Sequence, residues 1–216
     1  MTDALVFTLP ALPDPAHAEA HWWRVAGGAI VERGVGTQWV AASAAAAKLI
    51  GLAPAAAVRL MLSIADSGAS TPRQAAAVAR VAAVENSLGD PATLHAVAVP
   101  IPGEERGLVT AIVANSAMLE WLDWTRALGV DPDHIVPAGS VVPVGENWAT
   151  ATIGAEQLVG RRSMVFPNEP SLAEALVGGA EVETLPEAFQ RSGFRTGGFT
   201  EGGYVSGRFG FRRGFD

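Results

Sequence analysis

The sequence predicts a mixed α/β protein with two successive groups of strands and helices. Short runs rich in β-branched and aromatic residues, typical of strands, recur along the chain. Two pairs of such runs flank glycine-containing turns, Gly27-Gly28 and residues 154–156, as β-hairpins do. Two longer segments have the apolar spacing of an amphipathic helix. Together these patterns predict mixed sheets joined to helices.

The first third of the chain is predicted to consist mainly of strands. Glycine reaches the positive φ that a tight turn requires, so the runs on either side of Gly27-Gly28 predict a hairpin. A short helix is predicted over residues 38–45. The predicted strands are residues 4–9, 21–26, 29–33, 48–52 and 58–64.

The central part of the chain is predicted to contain both long helices. Thr71 can cap the first of them, and Pro72 suits the first helical position, where its missing N–H has no intrahelical role. Asn115 or Ser116 is predicted to cap the second. The predicted elements are a helix over 73–88, strands over 94–99 and 107–113, a helix over 117–128 and a strand over 134–137.

The last part of the chain returns to strands. Short strands are predicted at 141–144 and 163–166, and a hairpin at 148–153 and 157–159. A helix is predicted over 172–177. Glycine and arginine dominate from residue 193 onward, so little packed structure is expected there.

Composition excludes several classes of protein. Hydrophobic residues make up 49% of the 216 residues and charged residues 17%, which is typical of a globular chain. The net charge of -7 argues against nucleic acid as the main partner, because a phosphate-binding surface needs an excess of basic residues. The absence of cysteine excludes disulfides and thiolate metal sites. No signal peptide and no apolar run of about 18 residues is visible.

A β-β-β-α-β order that occurs twice is the plan of the ribonuclease-H-like, actin-like fold, although spacing alone gives only a mixed α/β class. We therefore expect two such lobes, over residues 1–90 with the linking helix and over 91–190. A basic Gly/Arg-rich tail follows over 191–216. In actin-like ATPases, a turn of the form Asp-x-Gly-Thr/Ser binds phosphate and Mg²⁺.

Both equivalent turns of this chain lack that pattern. Residues 9–14 contain two prolines, which have no N–H, and no glycine. The turn over 100–106 has one glycine and two carboxylates that would repel phosphate. Nucleotide hydrolysis is therefore not expected, and no catalytic residue, cofactor or metal site is predicted.

Other residues with chemical potential are better explained without catalysis. The four histidines, His17, His21, His95 and His134, do not cluster in the sequence, and no serine lies in a Gly-x-Ser-x-Gly motif. On the second long helix, Met118, Trp121, Leu122 and Thr125 form an apolar stripe. Trp124 lies at the edge of this stripe, and its exposure at an interface is a minor hypothesis.

The order of several loose motifs resembles one known family. Pro-Arg-Gln-Ala begins at Pro72, Leu-Gly-Asp-Pro begins at Leu88, and Leu-Glu-Trp-Leu begins at Leu119. The run from Leu128 to Pro137, Leu-Gly-Val-Asp-Pro-Asp-His-Ile-Val-Pro, completes the series. This order resembles the cytoplasmic domain of general secretion pathway protein L, of the bacterial type II secretion system. The resemblance extends from about the first strand to the last residue.

The resemblance implies an actin-like fold and a scaffold without enzymatic activity. It implies that the chain binds the amino-terminal region of the secretion ATPase, and it makes other inner-membrane platform subunits and a second copy of the chain expected partners. Nucleic acid is not an expected partner. The alternatives are an actin-like ATP-binding protein or kinase, and the type IV pilus counterpart of the scaffold.

The family's proteins continue into a transmembrane helix, so the chain is expected to be a fragment cut near Asp216 on the cytoplasmic face of the inner membrane. Five of the 15 basic residues follow residue 190. Basic residues just before a membrane span favour its cytoplasmic side. Arg208, Arg212 and Arg213 are therefore predicted to be membrane-proximal. A flexible solvated tail is the alternative.

Overall fold

A computed structural model describes residues 3–168, apart from 65–67, 70, 88, 102–105, 143–146 and 162–163. These residues belong to one compact unit, Met1–Glu169. The helix predicted over 172–177 and the tail predicted over 191–216 lie outside the described residues.

The described residues form eleven strands and three α-helices. The strands are β1 (Ala4–Thr8), β2 (Ala20–Ala26), β3 (Ala29–Gly36), β4 (Lys48–Ala53), β5 (Arg59–Ile64), β6 (Leu94–Pro100), β7 (Gly107–Ala114), β8 (His134–Pro137), β9 (Ala149–Ile153), β10 (Glu156–Arg161) and β11 (Met164–Pro167). The helices are α1 (Gln38–Ser43), α2 (Pro72–Glu85) and α3 (Asn115–Ala127).

The largest sheet has five strands in the order β3-β2-β1-β4-β8. β2 runs antiparallel to both β1 and β3. β2 and β3 form the predicted hairpin around Gly27, whose φ is 61°. β4 runs parallel to β1 and to β8. An antiparallel hairpin beside parallel strands confirms the predicted mixed α/β class.

The second sheet, in the order β5-β7-β6, is inserted in the chain between β4 and β8. α2 covers one face of it through Ala75, Ala79 and Ala83, whose small side chains allow a close approach. Val78 of the same helix is exposed. An Ala-rich helix has several faces of similar hydrophobicity, so the sequence pattern alone does not select the one that packs.

The two long helices begin differently. Thr71 Oγ1 accepts a hydrogen bond from the Gln74 backbone N–H at 3.2 Å, which confirms the predicted cap of α2. The predicted cap of α3 by Asn115 or Ser116 is wrong, because Ala114 occupies the capping position and no side chain bonds there. The Asn115 amide instead donates to the Ala92 carbonyl at 3.0 Å.

The third sheet has the order β9-β10-β11, and its first two strands form the predicted hairpin around Gly154. The strand predicted over 141–144 is wrong at Val141, which ends a short 3-10 helix, Ala138–Val141. Residues 143 and 144 lie outside the described residues.

The main core lies between the first sheet and the helices α1 and α3. Phe7, Trp39 and Trp124 stack in series there, with ring centroids 4.3 Å and 5.5 Å apart, and Trp121 is buried beside them. Such aromatic contacts carry much of the burial energy of a domain this size. The lobe boundaries at residues 90 and 190 stay a prediction; the pairing shows that the first sheet takes β8 from beyond residue 90.

Candidate functional site

The first sheet has a crevice at the carboxyl ends of β1 and β4. These strands are parallel neighbours, but the chain leaves β1 toward β2 on one side and reaches β8 on the other side of β4. Open α/β sheets bind ligands where the chain connections of two neighbouring strands lead to opposite sides in this way. The topology therefore makes this crevice the first candidate site.

The crevice has a volume of about 440 Å³. Leu9, Leu52 and Ile153 contribute to its apolar walls, and Glu19 and Glu156 are its carboxylates. None of the described residues that line it is a lysine or an arginine. The crevice therefore combines apolar walls with negative charge.

The β9–β10 turn closes one side of the crevice through a close contact at Gly154. A Cβ atom on this residue would lie 2.9 Å from Thr8 Cγ2 and 3.3 Å from His21 Cβ. The φ of Gly154 is also +62°, which a residue with a side chain rarely adopts. Only glycine therefore lets the hairpin approach the first sheet this closely.

The loop after β1 borders the crevice, and three indole N–H groups hold it in place. Trp121 Nε1 donates to the Pro10 carbonyl at 3.0 Å. Trp124 Nε1 lies 3.1 Å from the Asp14 carbonyl and 3.3 Å from the His17 carbonyl. Trp39 Nε1 donates to the Ala18 carbonyl at 2.7 Å. We call the three tryptophans with these hydrogen bonds, Trp39, Trp121 and Trp124, the indole clamp.

The loop is also stabilised locally by Asp14. Its Oδ1 accepts from the Ala16 backbone N–H at 2.9 Å, and its Oδ2 lies 2.6 Å from His17 Nδ1. The bond from the Ala16 N–H, followed by the bond from the His17 ring, lowers the pKa of the Asp14 carboxyl below its ordinary value. This pair therefore fixes the loop rather than forming a reactive group.

The backbone donors beside the crevice are used by the protein itself. After β4, the N–H groups of Ala55 and Ala56 donate to the two carboxylate oxygens of Glu156, at 2.9 Å and 3.2 Å. After β1, the Leu9 N–H donates to the Leu52 carbonyl at 2.9 Å, and the prolines that follow have no N–H. A phosphate group would need such donors free. The crevice is therefore better suited to an apolar or cationic group than to a nucleotide.

Trp124, the candidate interface residue, lies in the main core. It is only 1% exposed, which contradicts the minor hypothesis that it is exposed at an interface. The helical pattern placed it at the edge of the apolar stripe, but Trp39 and the loop after β1 cover that edge. Long-range packing of this kind has no signal in the helix sequence.

The histidines, for which no shared site was predicted, lie in different places. His21 lines the crevice, His95 lines a different groove, and His17 pairs with Asp14. Arg208, Arg212 and Arg213 lie outside the described residues. Residues 102–105, in the turn that is not expected to bind phosphate, also lie outside them.

An apolar groove is the second candidate surface. It has a volume of about 270 Å³ and lies between the β5-β7-β6 sheet, α3 and β8. β6 is an edge strand, and its residues Val97 and Val99 line the groove while remaining 48% and 47% exposed. The alternate positions Ala96 and Ala98 pack toward α2. The alternation in β6 was visible in the sequence, but the fact that no element of the described residues covers this face was not.

Comparisons with known proteins agree on one family. The family model of type II secretion system protein L matches residues 16–183. Among solved structures, the chain resembles the cytoplasmic domain of EpsL, an inner-membrane component of the type II secretion system of Vibrio cholerae. The TM-score is 0.60 at 18% identity, over 81% of this chain and 75% of the other. This likeness supports the predicted ribonuclease-H-like, actin-like fold. No curated protein sequence matches the chain.

Proposed function

This chain belongs to the type II secretion system protein L family, and we propose that it is a non-enzymatic scaffold that recruits the secretion ATPase to the inner-membrane platform. In this proposal the chain binds the amino-terminal region of the ATPase, and the partner hydrolyses ATP. Other platform subunits and a second copy of the chain are further proposed partners.

The observation that carries the proposal is that the crevice in the first sheet lacks, among its described residues, the free backbone donors and the glycine turn that bind phosphate. The donors after β4 bind Glu156, and the loop after β1 is rich in proline and held by the indole clamp. An actin-like protein that bound nucleotide would need donors and a flexible glycine turn at these places. These features favour a protein that binds partner proteins on its surface over one that binds or hydrolyses a nucleotide.

We propose the groove beside β6 as the surface that binds the ATPase. Solvent-exposed valines on an edge strand, next to an apolar groove, are features of protein docking sites. A partner could fill the groove with apolar side chains and pair with β6, which is an edge strand among the described strands. This surface lies on the opposite side of the second sheet from α2.

We also propose that the basic tail, residues 191–216, meets the cytoplasmic face of the inner membrane. Arg208, Arg212 and Arg213 would face anionic lipid headgroups. Each arginine near the surface would contribute about 1 kcal/mol to the free energy of membrane binding. Within the described ranges, no helix has the length and apolar character needed to cross a bilayer. The proposed membrane helix would follow this chain.

Isothermal calorimetry with the amino-terminal region of the secretion ATPase from the same genome tests the proposal. We expect saturable binding of the ATPase region and no heat from a parallel Mg-ATP titration. Tight Mg-ATP binding without ATPase binding would contradict the scaffold and support an actin-like ATP-binding protein.

A matched pair of variants tests the docking surface. Val97→Asp places a charge in the groove and should weaken ATPase binding by about tenfold or more, as loss of a buried interface anchor does. Val78→Asp makes the same change on the outer face of α2, where the valine is also 45% exposed, and should leave binding unchanged. Equal effects of the two variants would exclude the groove.

A further inference from the structure

We propose that the crevice at the carboxyl ends of β1 and β4 binds a cationic, apolar peptide segment of a partner protein, in which an arginine lies beside an aliphatic residue. The crevice is separate from the groove beside β6, so this proposal stands whether or not the groove binds the ATPase. It lies where the chain connections of β1 and β4 lead to opposite sides of the sheet, which makes it the expected ligand site of the sheet.

The charge of the crevice selects a cation. Glu19 and Glu156 are the carboxylates among its described lining residues, and no lysine or arginine of the described lining neutralises them. The Ala55 and Ala56 N–H groups hold the Glu156 carboxylate in one position. A carboxylate has about four acceptor sites, so two remain for a guanidinium group. An anionic ligand would be repelled by both side chains.

The walls of the crevice select an amphipathic cation. Leu9, Leu52 and Ile153 are apolar members of the described lining, which also includes Glu19 and Glu156. Arginine has an aliphatic stem that packs on apolar surface while its charged end remains at a polar rim. A volume of about 440 Å³ lies within the range of known ligand pockets. It accommodates the side chains of an arginine and an aliphatic neighbour.

An exposed apolar residue in the lining of the crevice favours a peptide over a small molecule. Val35 of β3 lines the crevice and is 62% exposed. A free metabolite needs several convergent polar groups to fix its orientation. Here the walls provide mainly apolar contact, which successive side chains of a peptide can use.

Protein-observed NMR with a defined peptide tests the proposal. The probe is acetyl-Ala-Leu-Arg-Val-Leu-Ala-amide, and the matched peptide has glutamate in place of arginine. We expect the arginine peptide to shift the amide signals of crevice residues such as Leu9, His21 and Ile153. The glutamate peptide should not shift them.

Variants of two exposed glutamates supply the control. Glu19→Gln should weaken binding of the arginine peptide by about two- to fivefold, as expected for an exposed ion pair, and added salt should weaken binding to the wild-type chain. Glu120→Gln removes an exposed carboxylate of α3 that does not line the crevice and should have no effect. The proposal is overturned if no crevice signals shift at millimolar peptide, if the glutamate peptide binds equally well, or if the two variants behave alike. None of these results would affect the ATPase calorimetry.

Discussion

The loop after β1 and the groove beside β6 are both surfaces that α3 borders, but they are built in opposite ways. The indole clamp holds the loop by its carbonyl groups, and the rings of Trp39 and Trp124 are fully packed beneath it. In the groove, aliphatic side chains remain exposed and no described element covers Val97 and Val99. The same helix therefore closes one surface and leaves the other open.

This difference separates a structural role from a binding role. A buried indole combines a large apolar area with one hydrogen-bond donor, so it fixes a loop more firmly than an aliphatic residue can. An exposed valine stabilises the free protein little, and its burial energy becomes available when a partner binds. The tryptophans should therefore control stability, whereas the groove valines should control association.

The largest effect on stability is expected from Trp39→Ala. The variant removes the stacking on Phe7 and Trp124 and the bond to Ala18, and leaves a cavity. We expect the free energy of unfolding to fall by about 3–5 kcal/mol, measured by urea denaturation with circular dichroism. Leu12→Ala in the same loop is the control, because this leucine is 86% exposed. A similar loss of unfolding free energy in both variants would show that the indole clamp stabilises the protein no more than an exposed loop residue does.

A smaller effect is expected from Trp124→Phe, which keeps an aromatic ring but removes the indole donor. The carbonyls of Asp14 and His17 lose this partner. We expect a loss of about 1–2 kcal/mol and faster hydrogen exchange of the loop amides. If exchange in the loop did not change, packing alone would hold the loop, and the hydrogen bonds would be incidental.

The next effect concerns Glu156→Gln at the crevice. The amide oxygen can still accept one bond, but the charge and the second acceptor for Ala55 and Ala56 are lost. We expect a loss of about 1 kcal/mol, with faster exchange of these two amides. Glu120→Gln, at an exposed position of α3, serves as the matched control. Unchanged exchange would mean that the carboxylate does not hold the turn after β4.

The smallest effect concerns Asp14, whose pKa is lowered in the folded state. Its contribution to stability is therefore present above the ordinary pKa of aspartate and is lost as the pH falls through the lowered value. His17→Ala should raise the pKa of Asp14 only part of the way, because the bond from Ala16, the largest cause, remains. Carboxyl-carbon NMR measures this change. A complete return to the ordinary pKa would assign the whole effect to His17.

Most of the individual elements could be predicted from the sequence, because local signals determine them. Thr71 and Pro72 begin α2, Gly27 and Gly154 turn the hairpins, and the short strand over 134–137 has the predicted bounds. Each of these signals lies within a few residues of the structure that it specifies.

Two features could not be predicted, because they depend on contacts between distant parts of the chain. The pairing of β4 with β8 brings Ile50 beside His134, although the whole second sheet lies between them in the sequence. Nothing in the sequence of either strand specifies the other as its partner. The burial of Trp124 depends on a loop that lies 107 residues or more away in the chain. The crevice likewise takes its residues from several elements, which include β1, β2, β3, β4 and the β9–β10 hairpin.

The stacked indoles also give the protein an internal optical signal. Trp39 and Trp124 lie 5.5 Å apart with their planes 24° from parallel, so their electronic transitions should couple and produce a strong near-ultraviolet circular dichroism band. Both rings are removed from water, so they should contribute blue-shifted fluorescence. A change in either spectrum would report a movement of the loop after β1 without any label.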